Sequence, residues 1–336
     1  MTPSREVRLK QYPAAMPRGE DFEIAEVAVA DPGPGEVLVR NLWMSVDPYM
    51  RGQMNPGKSY VQPFQPGVSM NGRAIGQVTA SRNPRFPEGL LVRNASGWQE
   101  FFLSDGSEFD VIEPGSIPLQ SYLGIMGAPG MTAWVGLTLI GKMREGNHVY
   151  VSAAAGTVGS AACQIARIHQ CRVVGSAGSR EKVAWLEEEA GVDAFNYRGC
   201  SDLTAELAAR FPDGMNLYFE NVGGMHLEAA LATMNDFGRV VACGMISTYN
   251  DARPSPGPRN LMHIVRKRIC MQGFIVRDHQ DLKDVFAEQM GSWIAEGKIK
   301  WRETVIDGLE HAPDAFIGLF KGENIGKMLV KLGDPD

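Results

Sequence analysis

From about Gly130 onward, segments typical of β-strands alternate with segments typical of α-helices, and this alternation limits the folds open to the chain. Apolar runs such as "HVYVSAA", "CRVVGSAG" and "LYFENVGG" are separated by helix-like runs such as "VGSAACQIARIHQ", "REKVAWLEEEAG" and "HLEAALATMNDFG". Strands spaced by helical segments of this length are typical of βαβ crossovers in a parallel sheet. We therefore expect an α/β domain with a doubly wound parallel sheet.

The first 125 residues have a different pattern, with many prolines and glycines between short alternating runs such as "EVLVRNLWMSV" and "RAIGQVTAS". Such runs predict an irregular, mostly β unit. The last segment, "ETVIDGLEHAPDAFIGLFKGENIGKMLVKL", reads as strand, helix and strand, and we expect it to return to that unit. At 336 residues the chain is longer than a domain with a single hydrophobic core usually is. We predict a β-rich catalytic domain from 1–127 and 302–336 and a dinucleotide-binding domain from 128–301.

The stretch "VSAAAGTVGS" (151–160) carries small residues between a predicted strand and a predicted helix. In a dinucleotide-binding turn, three small residues permit a tight turn, close approach of the pyrophosphate, and helix–strand packing. Ala154, Gly156 and Gly159 take these places in this chain. Close packing without a ligand is the alternative, but the position of the turn within a series of βα units favours a dinucleotide site.

An NAD site usually holds the adenosine ribose with an acid about twenty residues after the turn. The corresponding stretch, "GSAGS", contains no acid, and Arg180 and Lys182 follow it with Ser179 as a candidate N-cap. Small residues leave room for a 2′-phosphate, which the cations and the helix N-terminus would attract. Lys182 could instead be a solvated helix lysine, but the missing acid favours NADPH over NADH.

Charge and cysteine content exclude several classes of partner. Lysine and arginine number 33 against 39 aspartate and glutamate, so the net charge of −6 gives no reason to expect nucleic acid or an anionic membrane. No stretch approaches the length of a membrane span, and the charged N-terminus lacks the apolar core of a signal peptide. The five scattered cysteines indicate reduced thiols. We expect a cytoplasmic protein whose partner is a small molecule.

The first 147 residues contain neither cysteine nor histidine, which predicts that a zinc site of the usual kind is absent. Hydride transfer to an isolated carbonyl produces a basic alkoxide that zinc would stabilise. Transfer to the β-carbon of an enone places the charge on a less basic enolate oxygen, for which a tyrosine or ribose hydroxyl suffices. The sequence therefore favours reduction of a conjugated double bond.

Several motifs resemble one family over nearly the whole chain. "NLWMSVDPYMRG", "PGMTAWVGL", "AAAGTVGS", "GSREKVAWL", "YFENVGG" and "CGMISTYN" occur in order. Together they resemble the zinc-independent medium-chain dehydrogenases/reductases of the prostaglandin reductase, alkenal double-bond reductase and bacterial curcumin reductase group. This resemblance implies a Rossmann domain with a GroES-like catalytic domain, NADPH, a conjugated carbonyl substrate and a homodimer paired through the edge strand "CMQGFIV".

The resemblance also implies the residues that would form the site. Lys182 and Tyr197 would hold the 2′-phosphate, and Tyr249 would hold the substrate oxygen. Tyr49 and Tyr60 would stand on the opposite wall of the pocket. The turn residues would line the pyrophosphate and a further set would surround the ribose and nicotinamide: Ala155, Gly156, Thr157, Val158 and Gly159, then Asn221, Cys243, Gly244, Phe274, Val276 and Asn324.

The motifs leave two other functions open. A quinone is also a conjugated carbonyl, so an NADPH:quinone oxidoreductase is a second enzyme hypothesis, and an NADPH-binding protein without catalysis is a third. The segment "GQMNPGKSYVQPFQPGVSMNG" is longer than its counterpart in mammalian prostaglandin reductases and resembles the curcumin reductases more. A preference for bulkier conjugated enones as substrates therefore stays open.

Overall fold

The computed structural model describes residues 1–113, 115–253 and 255–335. These residues fall into two compact units, which we call the β-rich unit and the α/β unit. The β-rich unit spans Met1–Leu123, Glu303–Asn324 and Met328–Asp336. The α/β unit spans Gly124–Arg302 and Ile325–Lys327.

The strands, in chain order, are β1 (Thr2–Leu9), β2 (Phe22–Val29), β3 (Val37–Ser45), β4 (Ala74–Ser81), β5 (Leu91–Asn94), β6 (Phe101–Ser104), β7 (Asp110–Val111), β8 (His148–Val151), β9 (Arg172–Ala177), β10 (Asp193–Asn196), β11 (Met215–Glu220), β12 (Met234–Ala242), β13 (Cys270–Gly273), β14 (Glu303–Asp307) and β15 (Lys327–Lys331).

The α-helices follow in the same order: α1 (Met50–Gln53), α2 (Ala128–Val135), α3 (Thr157–Ile168), α4 (Arg180–Glu188), α5 (Leu203–Arg210), α6 (Gly224–Thr233), α7 (Met262–Arg266), α8 (Lys283–Ala295) and α9 (Ala312–Lys321). A π-helical turn, Gly136–Ile140, continues α2.

The β-rich unit is built on a sheet with the strand order β14-β15-β3-β4-β5-β7, and β6 also pairs with β3. The C-terminal segment contributes β15 to this sheet, where Leu329 pairs antiparallel with Ser45 of β3. Strands β1 and β2 form a separate antiparallel pair. The core around them is aromatic, and the Trp98 and Phe316 rings meet edge to face with centroids 6.3 Å apart.

The α/β unit is built on a parallel sheet with the order β10-β9-β8-β11-β12-β13. Alternate side chains of β8 enter different cores: Val149 and Val151 pack with α3, while Tyr150 packs with Leu207 of α5 and Leu227 of α6. The predicted fold class, a doubly wound sheet with a mostly β domain, is confirmed. Its strand order reverses between β8 and β11, and ligands of open α/β sheets bind beyond the carboxyl ends of strands at such a point.

Two details of the expected elements are wrong. The run "HLEAALATMNDFG" predicts a helix to its end, but α6 stops at Thr233 and β12 begins at Met234. The exposed Phe237 has φ +62°, a left-handed conformation that a continuous helix does not admit. In the run "CMQGFIV" the strand ends at Gly273, so Phe274 and Val276 lie beyond β13.

Candidate cofactor and catalytic site

The glycine turn lies at the carboxyl end of β8, where the strand order reverses. The N–H of Ala154 donates to the carbonyl of Ser176 (2.9 Å), and the N–H of Gly156 donates to that of Ala153 (3.0 Å). A Cβ added to Gly159 would lie 2.3 Å from the Ala153 carbonyl oxygen, so close packing requires glycine there. A Cβ on Gly156 would reach the same oxygen only at 3.4 Å. The packing of the chain does not demand glycine at 156, whereas close approach of a ligand would.

The first turn of α3 is suited to an anion. Its N-cap is Gly156, which offers no side-chain oxygen, whereas Ser179 caps α4 and Asp202 caps α5 through their side chains. An α-helix leaves the N–H groups of its first turn without intrahelical acceptors. The half-buried Thr157 and Val158 carry such groups, which fit a pyrophosphate with the helix dipole assisting.

A segment from near the C-terminus lies beside this turn. The N–H of Gly326 donates to the carbonyl of Ala155 (2.8 Å), and Gly326 forms a bridge with Gly156. Gly326 has φ +69°, and an added Cβ would lie 1.8 Å from the carbonyl oxygen of Arg302, so glycine is required. Sequence reasoning selected Asn324 from "GENIGK" but missed Gly326, whose partner is 171 positions away.

The cations predicted to contact the 2′-phosphate lie beyond the end of β9. Ser179 caps α4 as expected, since its hydroxyl accepts the N–H of Lys182 (3.3 Å). Burial lowers the pKa of the half-buried Lys182 ammonium, and the positive charge of Arg198 lowers it further. A Cβ on Gly178 would lie 3.4 Å from both the Tyr197 hydroxyl and Arg198 Nε. Arg198 and the Tyr197 hydroxyl therefore lie beside Gly178, and the charge of Arg198 reaches Lys182, an arrangement of cations and a hydroxyl that fits a phosphate monoester.

Arg198 is the residue of this cluster that sequence reasoning missed. It directly follows Tyr197 in the sequence, and its guanidinium lies 6.0 Å from the centroid of the Tyr197 ring. The sequence could have identified Arg198, because a second cation next to a predicted phosphate-binding residue is typical of an anion site. The His226 ring packs edge to face against the Tyr197 ring, with the ring centroids 4.7 Å apart.

The residues predicted near the nicotinamide follow β11 and β12. The amide of Asn221 donates to the carbonyl of Ser152 (2.8 Å), so this side chain ties the end of β11 to the end of β8. The N–H groups of Cys243 and Gly244 donate to the carbonyl of Glu220 (3.0 and 3.1 Å). Burial raises the pKa of the Cys243 thiol to about 12, which disfavours the reactive thiolate.

Tyr249 ends the short helical turn Ile246–Thr248, seven residues after β12. Its hydroxyl accepts a long hydrogen bond from the N–H of Met245 (3.4 Å). A Cβ on Gly244 would lie 2.9 Å from this hydroxyl, so glycine at 244 leaves room for it. The hydroxyl is therefore held near the carboxyl ends of β11 and β12.

The other predicted site residues are placed as follows. Phe274 and Val276 pack against the core of the α/β unit. Tyr49 is the N-cap residue of α1 in the β-rich unit, with the Arg73 guanidinium 5.4 Å from its ring centroid. Tyr60 belongs to a loop of the same unit, with 56% of its surface exposed. Asn324 is half-buried at the end of the Glu303–Asn324 segment.

Among the described residues, His, Cys, Asp and Glu side chains form no group of three or more that could hold a metal ion. Across those same residues, none of the helices combines the length and apolar character needed to cross a membrane.

Comparison with known proteins gives matches over the whole chain. A family model described as the N-terminal domain of oxidoreductase matches residues 5–112, and one described as zinc-binding dehydrogenase matches residues 157–291. The chain is 42% identical to the 2-alkenal reductase (NADP(+)-dependent) of Nicotiana tabacum, over 97% of each chain. It is 39% identical to the NADPH-dependent curcumin reductase of Escherichia coli (strain K12), over 98% of this chain and 96% of that protein. The crystal structure of CurA in complex with NADPH from Vibrio vulnificus matches with a TM-score of 0.93 and 40% identity, covering 98% of this chain and 100% of that one.

Proposed function

The chain belongs to the medium-chain dehydrogenase/reductase family, in the group of the alkenal and curcumin reductases, and we propose on this basis that it uses NADPH to reduce the C=C bond of α,β-unsaturated ketones and aldehydes. The observation that carries the proposal is the 42% identity, over 97% of both chains, to a 2-alkenal reductase. The cations Lys182 and Arg198, with the Tyr197 hydroxyl, support the choice of cofactor.

When bound, NADPH supplies the hydride that adds to the β-carbon. The N–H groups of Thr157 and Val158 bind the pyrophosphate, and Lys182 and Tyr197 bind the 2′-phosphate. The Tyr249 hydroxyl donates a hydrogen bond to the carbonyl oxygen as negative charge develops there, which stabilises the enolate by about 3 kcal/mol. Solvent then supplies the proton to the α-carbon. Tyr49 and Tyr60 remain the predicted substrate-binding tyrosines of the β-rich unit.

The reaction as proposed needs no zinc, although one matching family model is described as zinc-binding dehydrogenase. The support comes from the sequence, in which the first histidine or cysteine is His148. An enolate oxygen is weakly basic enough for a hydroxyl donor to stabilise it.

A homodimer paired through β13 is also part of the proposal. Strand β13 ends the sheet order, with β12 on one side. Met262 and Val265 of the preceding helix α7 are exposed by 58% and 69%, and Phe237 is exposed by 70%. Exposed apolar side chains beside an open strand edge favour pairing with another chain.

We further propose a cytoplasmic location, which the cysteines support. The described cysteines are all free, and Cys163 and Cys171 are buried. Unpaired thiols are typical of a reducing compartment.

Steady-state assays with NADPH test the reaction. We expect turnover of a straight-chain enone, a 2-alkenal or curcumin to give the saturated carbonyl compound, and no turnover of the matching saturated ketone. A benzoquinone in the same panel tests the alternative hypothesis. An allylic alcohol as product, or turnover confined to the quinone, would contradict the proposal.

A further inference from the structure

Glu220 is a fully buried acid at the carboxyl end of β11, and the proposed reaction gives it no role. Its Oε1 atom accepts hydrogen bonds from the Tyr218 hydroxyl (2.7 Å) and from the N–H groups of Val222 (2.6 Å) and Gly223 (2.8 Å). The Ser152 hydroxyl donates to the same oxygen at 3.3 Å. One carboxylate oxygen thus orders the turn that follows β11.

Residues 220–222 are hydrogen-bonded to the segment 243–249, which ends at Tyr249. The carbonyl of Glu220 accepts the N–H groups of Cys243 and Gly244. The carbonyl of Asn221 accepts the N–H of Ile246 (3.1 Å), and that of Val222 accepts the N–H of Ser247 (3.0 Å). Four backbone hydrogen bonds therefore place the segment on residues 220–222, whose conformation the Glu220 side chain sets.

Burying the Glu220 carboxylate at this position costs folding free energy. Burial raises the pKa of Glu220, while the hydrogen bonds from Gly223, Tyr218, Val222 and Ser152 oppose that rise. These donors are hydroxyls and backbone N–H groups, and a buried acid held by such neutral donors adds little net stability compared with a well-packed apolar side chain. Its location in the site therefore indicates a functional reason rather than a gain in stability.

We propose that Glu220 is a positioning residue for the double-bond reduction: by ordering Val222 and Gly223 it fixes the segment 243–249 and hence the hydroxyl of Tyr249. This inference rests on the proposed function. It assigns Glu220 no contact with substrate or cofactor.

The first test is whether the effects of substitutions at 220 and 249 overlap. We expect Glu220→Ala and Tyr249→Phe each to lower kcat about 10-fold or more, and the double variant to be little worse than the less active single variant. Glu220→Gln keeps an acceptor oxygen and should restore most of the activity. Effects that multiply in the double variant would overturn the positioning role. No enone turnover by the wild-type protein would instead refute the proposed function itself.

The second test needs no turnover. Hydrogen–deuterium exchange of Glu220→Ala without cofactor should show faster exchange of amides 243–249 than in the wild type. Gln164→Ala provides the matched control, because Gln164 is also buried in the same unit and bonds elsewhere. If Glu220→Ala does not fold, Glu220→Asp keeps the charge but withdraws the oxygen by one methylene. Unchanged exchange at 243–249 in the folded variant would overturn the proposal.

Discussion

At the scale of single residues, we expect cofactor selectivity to depend on the cations Lys182 and Arg198. Lys182→Ala removes a charge-assisted contact to the 2′-phosphate, so we expect NADPH to bind about 10- to 100-fold more weakly and NADH to bind unchanged. Arg198→Ala should shift selectivity in the same direction. Calorimetric titration of both nucleotides measures this, with Lys321→Ala, an exposed lysine of the β-rich unit, as the control. An equal loss for both nucleotides would remove the phosphate role.

The Tyr249 hydroxyl is the predicted donor to the enolate. Tyr249→Phe should lower kcat by about 100-fold while the affinity for NADPH changes little, because the missing donor acts on the developing charge. Single-turnover kinetics with an enone measure the chemical step. Tyr122→Phe, in the β-rich unit, controls for loss of a hydroxyl elsewhere. A rate like that of the wild type would transfer the role to another donor.

His226 gives the α/β unit a sensitivity to acid. The His226 ring is buried against Tyr197, and its Nδ1 lies 2.7 Å from the Tyr150 hydroxyl. Burial lowers the pKa of His226 to about 4. Between pH 6.5 and 4 the unfolded chain therefore binds a proton that the native state does not, so this contribution to stability is lost as pH falls. The loss reaches about 3 kcal/mol.

Chemical denaturation across this pH range checks the effect. His226→Gln should flatten the fall in the free energy of unfolding, whereas His311→Gln, at an exposed histidine, should leave it unchanged. Glu220, with its raised pKa, contributes in the opposite sense, so the comparison is made between variants. Parallel curves for wild type and His226→Gln would contradict the assignment.

At the scale of elements, one buried side chain joins α3 to the chain that follows α8. The Gln164 amide donates to the carbonyl of Lys300 (2.8 Å), and its oxygen accepts the N–H of Lys300 (2.7 Å). Gln164→Ala removes both bonds and leaves a cavity, so we expect about 2 kcal/mol of destabilisation. Urea denaturation measures it, and kcat should remain near that of the wild type. A stability change below about 0.5 kcal/mol would contradict this.

The elements themselves differ in how well the sequence predicts them. Strands β8, β9 and β11 and helices α3 and α4 follow from apolar patterns that each segment carries in its own sequence. The antiparallel pair of β1 and β2 was not predicted, because β1 is mostly polar and β2 pairs with β1 rather than with the larger sheet. Helix α6 gives way to β12 where Met234 becomes extended (φ −61°, ψ 146°), a backbone change that no periodicity encodes.

At the scale of the whole molecule, the parts of the site close in sequence could be predicted and those joined across the chain could not. The glycine turn and Lys182 lie within about thirty residues of one another, and local patterns identify them. Contacts such as Gly326 with Ala155, or the turn after Glu220 with residues 243–247, depend on tertiary packing. Distant pairing of this kind leaves no local pattern, so the organisation of the site emerges only with the fold.

Pairing of two chains through β13 should depend on the exposed apolar side chains of α7. Val265 is exposed by 69% on α7, directly before the open edge of β13, so a charge there should oppose pairing while the monomer still folds. We expect the wild type to sediment as a dimer and Val265→Asp to shift toward the monomer mass as it is diluted. Val305→Asp, at an exposed position of β14 in the β-rich unit, should remain dimeric. A wild type that sediments as a monomer at every concentration would contradict the proposed dimer, and turnover by that monomer would show that catalysis does not require pairing.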